Sequence, residues 1–211
     1  MRQLVSGLTA TLAGLLLLAG CTSGGGVADQ AADSDFAACV ERAGLSLDGA
    51  DDWSEQEERD FLSQPRALDC VVSDVPADDR ADLLSRAFPD DSGSDEEARE
   101  KRAAKTDALV AFVTARMEVG EGAREQTVAD AAALMDAFGW DETDPWVGDR
   151  KQVALAITRA EGGAASYDEW LDDTGRDDDY AGRIDFVQEQ ETEGTPLAEE
   201  VRALAAELEE S

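Results

Sequence analysis

Apolar residues recur along most of the chain at the three- and four-residue spacing of an amphipathic helix. In one stretch Val128, Ala131, Met135 and Phe138 fall on a single helical face, because about 3.6 residues make one turn. Strict alternation of apolar and polar residues, which is typical of a half-buried strand, is rare. The pattern predicts helices over residues 34–44, 54–62, 65–76, 78–88, 95–119, 127–138, 146–160 and 195–209.

Several of these segments begin with residues that favour helix starts. Ser54 is followed by Glu57, which is the spacing of a capping box. Pro65 suits a first helical turn, and Thr195 followed by Pro196 combines a cap with a first-turn proline. The helix signals therefore agree with the apolar periodicity.

Together these signals predict an all-α fold, an irregular multi-helix bundle over residues 34–211. The segment 89–95 is rich in Asp, Ser and Gly and is a candidate boundary between two sub-lobes, residues 34–90 and 95–211.

The N-terminal residues differ from the rest of the chain. Arg2 precedes an apolar stretch from Leu8 to Ala19, which is the layout of a secretion signal and too short for a stable membrane span. Leu18-Ala19-Gly20-Cys21 resembles the lipobox of bacterial lipoproteins. The resemblance implies that residues 1–20 are removed and that Cys21 is acylated. An ordinary signal peptide followed by an unrelated cysteine is the alternative.

Residues 21–33 are small, Gly-rich and poor in apolar side chains, so they are predicted to form a flexible tether. The amino-acid usage of the chain is typical of a GC-rich genome. With this usage and the tether, the N-terminal region resembles the acidic lipoproteins of actinobacteria. The resemblance implies an outer-face location on the cytoplasmic membrane, with contact to that membrane through the lipid on Cys21.

Three cysteines occur in the chain. If Cys21 carries lipid, Cys39 and Cys70 remain outside the cytoplasm, where disulfides persist. An even remainder of two predicts one bond between them. A zinc site is disfavoured because the chain contains no His, and their spacing is far from that of a C-x-x-C redox pair.

Charge narrows the classes of partner. Segment 1–20 holds one basic residue and no acidic one, so residues 21–211 carry 17 basic and 49 acidic side chains, a formal charge of −32. Such a surface repels nucleic acid and anionic lipid, so no nucleic-acid partner is expected. It attracts cations or a basic protein, or it serves only to keep the protein soluble.

The lack of His also bears on catalysis. It excludes Ser-His-Asp and Cys-His nucleophiles and every His metal ligand, and no phosphate-binding glycine motif is found. Paired carboxylates are the one hydrolytic route left, and acidic pairs are too common here to indicate a site. The sequence therefore predicts a protein that is not an enzyme.

One acidic stretch, DDDYAGRIDFVQ, begins at Asp177 and resembles an EF-hand calcium loop over twelve residues. The resemblance implies side-chain ligands from Asp177 and Asp179 and a water-mediated contact from Asp185. Ala181 and Gln188 depart from the pattern because neither supplies a carboxylate. Calcium is the one cofactor that the sequence suggests.

The same stretch also fits an ordinary helix. Asp177 or Asp178 would cap it, and Tyr180, Ile184 and Val187 would form its buried face. The two interpretations differ in whether the residues after the cap are helical or looped.

Tryptophans supply a second candidate site. Trp140 and Trp146 flank the segment WDETDPW, where acids lie between two indole rings. That composition is suited to a cationic ligand or a sugar. Alternatively, both rings clamp a loop between helices onto the core.

The overall expectation is a lipid-anchored, acidic, non-catalytic interaction or scaffold module with an unknown protein partner. The alternatives are a weak binder of divalent cations or small cationic ligands, and a carboxylate-based hydrolase.

Overall fold

The computed structural model describes residues 26–89, 95–118, 123–140 and 144–211. These residues form eleven α-helices and one short 3-10 helix, Ala50–Asp52, and no strand occurs among them, which confirms the all-α prediction. The helices are α1 Val27–Ala31, α2 Ser34–Arg42, α3 Glu55–Leu62, α4 Pro65–Asp74, α5 Ala77–Ala87, α6 Asp95–Met117, α7 Ala123–Ala137, α8 Asp144–Ala160, α9 Ala165–Thr174, α10 Tyr180–Glu193 and α11 Pro196–Glu210.

The predicted disulfide is present. Cys39 of α2 and Cys70 of α4 are bonded, with 5.6 Å between their Cα atoms. The two helices pack side by side and bury Phe36 from α2 and Leu68 and Val71 from α4. The bond therefore joins two helices that already share an apolar interface.

One hydrophobic core runs through both candidate sub-lobes. Helix α4 packs against α6, and α5 packs against α7. Arg116 of α6 also forms ion pairs with Asp69 of α4 and Asp130 of α7. The largest contacts are those of α8 with α6 and α11, and the fully buried side chains at this centre include Leu109, Phe112, Leu155 and Ile157.

The predicted helix starts are observed. The Ser54 amide donates to Glu57 Oε2 at 2.8 Å, and the Glu57 amide donates to Ser54 Oγ at 3.3 Å, which completes the capping box. Thr195 Oγ1 accepts a hydrogen bond from the Ala198 amide at 3.2 Å. Pro65 and Pro196 occupy first-turn positions. These local signals fix where the helices of the bundle begin.

Two features of the fold correct the sequence analysis. Helix α1 lies inside the predicted tether 21–33, and Val27 is fully buried with Ala28 partly buried against the core, so this part of that segment packs on the domain. Helix α9 was not predicted, because its buried face consists mainly of Tyr167.

Within the described residues, no helix has both the length and the apolar character needed to cross a membrane.

Candidate functional site

Helix α10 forms a wall of two clefts. The first, called here the α10 cleft, has a volume of about 750 Å³ and is lined by residues of α6, α8 and α10. The second, called the Asp178 cleft, has a volume of about 480 Å³ and is lined by α6, α8, Tyr167, Asp168, Asp178 and Arg183. The acidic run that resembles a calcium loop lies at the start of this helix.

The calcium-loop geometry is not formed. Residues from Tyr180 onward are helical, and Asp179 is the N-cap, with its Oδ1 accepting a hydrogen bond from the Gly182 amide at 2.7 Å. Asp185 pairs with Arg176 at 2.7 Å. The helical interpretation is thus confirmed, although the capping residue is Asp179 rather than Asp177 or Asp178.

The predicted ligation of a metal ion by Asp177, Asp179 and Asp185 therefore loses its structural basis. An EF-hand loop needs its ligands to converge on one point, whereas here capping and ion pairing use two of the three carboxylates. Among the described residues, no group of three or more Asp, Glu, Cys or His side chains is placed to hold a metal ion.

Calcium should therefore leave the thermal stability unchanged beyond a general ionic effect. We expect the melting temperature in millimolar CaCl₂ to match that in MgCl₂ of equal concentration, because screening of acidic side chains does not distinguish the two ions. Differential scanning calorimetry of the wild type and of Asp177→Ala tests this. A calcium-specific rise that Asp177→Ala abolishes would contradict it.

The acidic run approaches Gly182 closely. A Cβ atom on Gly182 would lie 2.3 Å from the Asp177 carbonyl oxygen, which is far inside van der Waals contact. The glycine is therefore required by the backbone that precedes it. From the sequence alone it is only a helix-weakening residue, at about 1 kcal/mol relative to alanine.

Gly182→Ala is expected to destabilise the protein by about 1–3 kcal/mol, since the added methyl group forces the backbone to shift. Gly148→Ala in α8 is the matched control, because no atom lies within 4 Å of the position that an added Cβ atom would take. That control should be neutral or stabilising by up to about 1 kcal/mol. Equal effects of the two substitutions in urea unfolding would refute the close approach.

Asp178 is the centre of a polar network in the second cleft. Its Oδ1 accepts hydrogen bonds from Tyr167 Oη at 2.9 Å and from Arg183 Nη1 at 3.2 Å, and its Oδ2 accepts from Arg159. These partners lie on α8, α9 and α10. One carboxylate thus ties three helices together.

The network shifts the pKa values of its members. Burial acts to raise the pKa of Asp178, but hydrogen bonds from Tyr167, Arg159 and Arg183 together outweigh burial, so its pKa is lowered. Burial and the Asp178 hydrogen bond raise the pKa of Tyr167. Tyr167 thus stays protonated and donates, while Asp178 stays charged and accepts.

Stability should depend on pH through Asp178. Because its pKa is lower in the folded than in the unfolded state, its stabilisation is present above the unfolded value of about 3.9 and is lost as the pH falls through the folded pKa. The difference in melting temperature between wild type and Asp178→Asn should therefore be largest at neutral pH and shrink below about pH 4. A difference that is constant from pH 7 to pH 2.5 would contradict this assignment.

Arg183 extends the network through the bundle. Its side chain is only 5% exposed and pairs with Asp107 of α6 as well as Asp178. Its Nε donates to Gln152 Oε1 at 3.2 Å, and Gln152 Nε2 donates to Asp149 Oδ1 at 3.3 Å. A continuous chain of polar groups thereby joins the two clefts.

At the α10 cleft this chain ends at Tyr180. The phenol lies beside Asp149 and Arg102. Burial, followed by the negative charge of Asp149, raises the pKa of Tyr180 to about 12. Tyr180 is therefore a neutral hydroxyl at the cleft wall, beside the buried carboxylate of Asp149.

The tryptophan platform is only partly described. Trp140 is buried, with 6% of its surface exposed, and belongs to the core cluster. The segment 141–143 and the side chain of Trp146 lie outside the described residues. Trp170 packs near Phe186, with 5.5 Å between ring centroids, and donates from Nε1 to Glu189 at 2.9 Å.

Sequence reasoning did not identify Arg183, Asp107, Gln152 or Asp149 as network members. One signal was available for Arg183, which shares a helical face with the buried residues Phe186 and Val187. Cys21, the predicted lipidation residue, lies outside the described residues. Comparison of the chain with protein-family models, with curated proteins and with solved structures finds no match.

Proposed function

We propose that this protein is a lipid-anchored, non-catalytic interaction module on the outer face of the cytoplasmic membrane, with Cys21 as the acylated residue. The observation that carries the proposal is the Cys39–Cys70 disulfide. Disulfides persist in oxidising compartments outside the cytoplasm. With three cysteines in the chain, the bond leaves Cys21 as the remaining thiol, at the position where the lipobox resemblance requires it.

The start of the folded domain limits how far the anchor reaches. Val27 is buried and follows Cys21 by six positions. An extended chain gains at most about 3.6 Å per residue, which gives a reach of about 20 Å. The module accordingly works close to the membrane, and its partner is another membrane-proximal molecule.

Two observations favour binding over catalysis. The buried Arg183 of α10 is engaged by Asp107 and Asp178, which is the arrangement of a structural ion-pair network. The formal charge of −32 over residues 21–211 favours a basic protein partner and disfavours nucleic acid.

Metabolic labelling with an alkyne-tagged fatty acid tests the anchor. The wild-type chain should be labelled, and Cys21→Ser should not, because only a thiol at that position is acylated. The matched control is the double variant Cys39→Ala/Cys70→Ala, which should be labelled like the wild type. Equal labelling of Cys21→Ser and the wild type would overturn the proposal.

A further inference from the structure

The apolar side of the α10 cleft is a helical face that the sequence predicts to be buried. Tyr180 and Ile184 are half-buried rather than buried, and with Val187 they line this cleft. Val147 of α8 faces them from the opposite wall. The core-facing side of α10 is formed by Arg183 and Phe186 together with Val187, which is itself buried at the base of the cleft. The helix thus presents an apolar surface to a cavity of ligand size.

Cationic side chains line the same cleft. Arg99 and Arg102 come from successive turns of α6, and Lys151 comes from α8. Residues three apart lie on one helical face, where two like charges destabilise the helix slightly. The chain has 18 basic and 49 acidic side chains, so two neighbouring arginines at a cavity are unusual here. An anion bound between them would relieve their repulsion.

The acids of the cleft already have partners. Glu191 binds Lys151 at 2.7 Å, and Asp185 binds Arg176 at 2.7 Å. Asp149 is fully buried and accepts a hydrogen bond from Gln152 Nε2 at 3.3 Å. The carboxylates are therefore not available to bind a cationic ligand.

The two arginines, by contrast, retain unused binding capacity. Among the described residues, no carboxylate lies within ion-pair distance of the exposed Arg99. Arg102 lies beside the neutral Tyr180, and its Nε atom is buried without a hydrogen-bond partner. A guanidinium presents five donors in a planar fork that matches an anionic head group.

We propose that the α10 cleft binds a small amphiphilic anion, a carboxylate joined to a short apolar body. Arg99 and Arg102 hold the carboxylate, and Val147, Ile184 and Val187 contact the apolar body. Both features are required, because a carboxylate alone gains little from guanidinium groups that water still reaches. This inference is independent of the lipid anchor.

Isothermal titration calorimetry with octanoate tests the site. The protein is the complete chain from residue 21 with Cys21→Ser, so that no acyl group competes. We expect saturable binding of one octanoate and no binding of octylammonium, which has the same apolar body and the opposite charge. The absence of saturable octanoate binding, or equally tight octylammonium binding, would overturn the proposal.

Substitutions assign the binding to the two arginines. Arg99→Gln/Arg102→Gln should weaken octanoate binding by about tenfold or more, because hydrogen bonds between a guanidinium and a carboxylate are charge-assisted and stronger than neutral ones. Arg99→Gln alone should weaken octanoate binding several-fold. Because Arg99 is exposed and forms no ion pair among the described residues, this substitution breaks no ion pair that stabilises the fold. Arg42→Gln in α2 removes the same charge far from the cleft and should leave the affinity unchanged. An unchanged affinity in both cleft variants would refute the site.

Discussion

Replacing Cys39 and Cys70 by alanine should lower the free energy of unfolding by about 3–4 kcal/mol. The bond closes a loop with a sequence separation of 31 residues, and the chain entropy that it removes from the unfolded state predicts this magnitude. For a chain of this length, about 2–4 °C is lost per kcal/mol. We therefore expect the melting temperature to fall by about 10 °C in calorimetry.

Reduction provides an independent test of the same bond. Dithiothreitol should lower the melting temperature of the wild type by a similar amount and should have no effect on the double alanine variant. Alanine is chosen because Cys70 is buried, where a serine hydroxyl would need a hydrogen-bond partner. If the melting temperature falls by less than about 2 °C in both experiments, the disulfide does not stabilise the protein by restricting the unfolded chain.

Arg183→Ala should destabilise the protein by about 3 kcal/mol. The substitution removes one guanidinium from Asp107, Asp178 and Gln152 together. Breaking a buried ion pair from one side costs about 3–5 kcal/mol, and the lower end applies because both aspartates are partly exposed. Urea unfolding measures the loss.

Arg176→Ala is the matched control for Arg183→Ala. Arg176 makes one ion pair, with Asp185, and both side chains are about half exposed. Exposed pairs contribute about 0–1 kcal/mol, so this variant should melt close to the wild type. If the two variants lose equal stability, Arg183 is not the centre of the network.

Most helices were predictable because their signals are local. The Ser54–Glu57 box and the Thr195 cap each involve residues within one turn, and the apolar residues of α11 repeat every three or four positions, at Leu197, Val201, Leu204 and Leu208. The disulfide was predictable for another reason, since the number of cysteines restricts the pairing. Helix α9 was not, because that segment buries one large side chain rather than a stripe.

The contacts of the acidic run depend on distant parts of the chain. Arg183 and Asp107 are 76 positions apart, so no local pattern relates them. The predicted face of Tyr180, Ile184 and Val187 has the correct helical spacing, but only Val187 is buried, because tertiary packing turns the side that carries Arg183, Phe186 and Val187 to the core. The periodicity identified the helix, and only the fold decides which side is buried.

The approach of the Asp177 carbonyl to Gly182 illustrates the same limit. Because of this approach, Gly182→Ala should lower the stability rather than raise it. The contact involves backbone just before the helix begins. In sequence the glycine supports a calcium loop and a tolerated helix position equally well. The cap by Asp179 distinguishes them.

The proposed anchoring is tested most directly by mass spectrometry of the N-terminal peptide of the mature protein isolated from membranes. We expect a chain that begins at Cys21, with the mass of a diacylglyceryl group on its thiol. A mature chain that begins at another residue, or an unmodified Cys21, would contradict lipid anchoring.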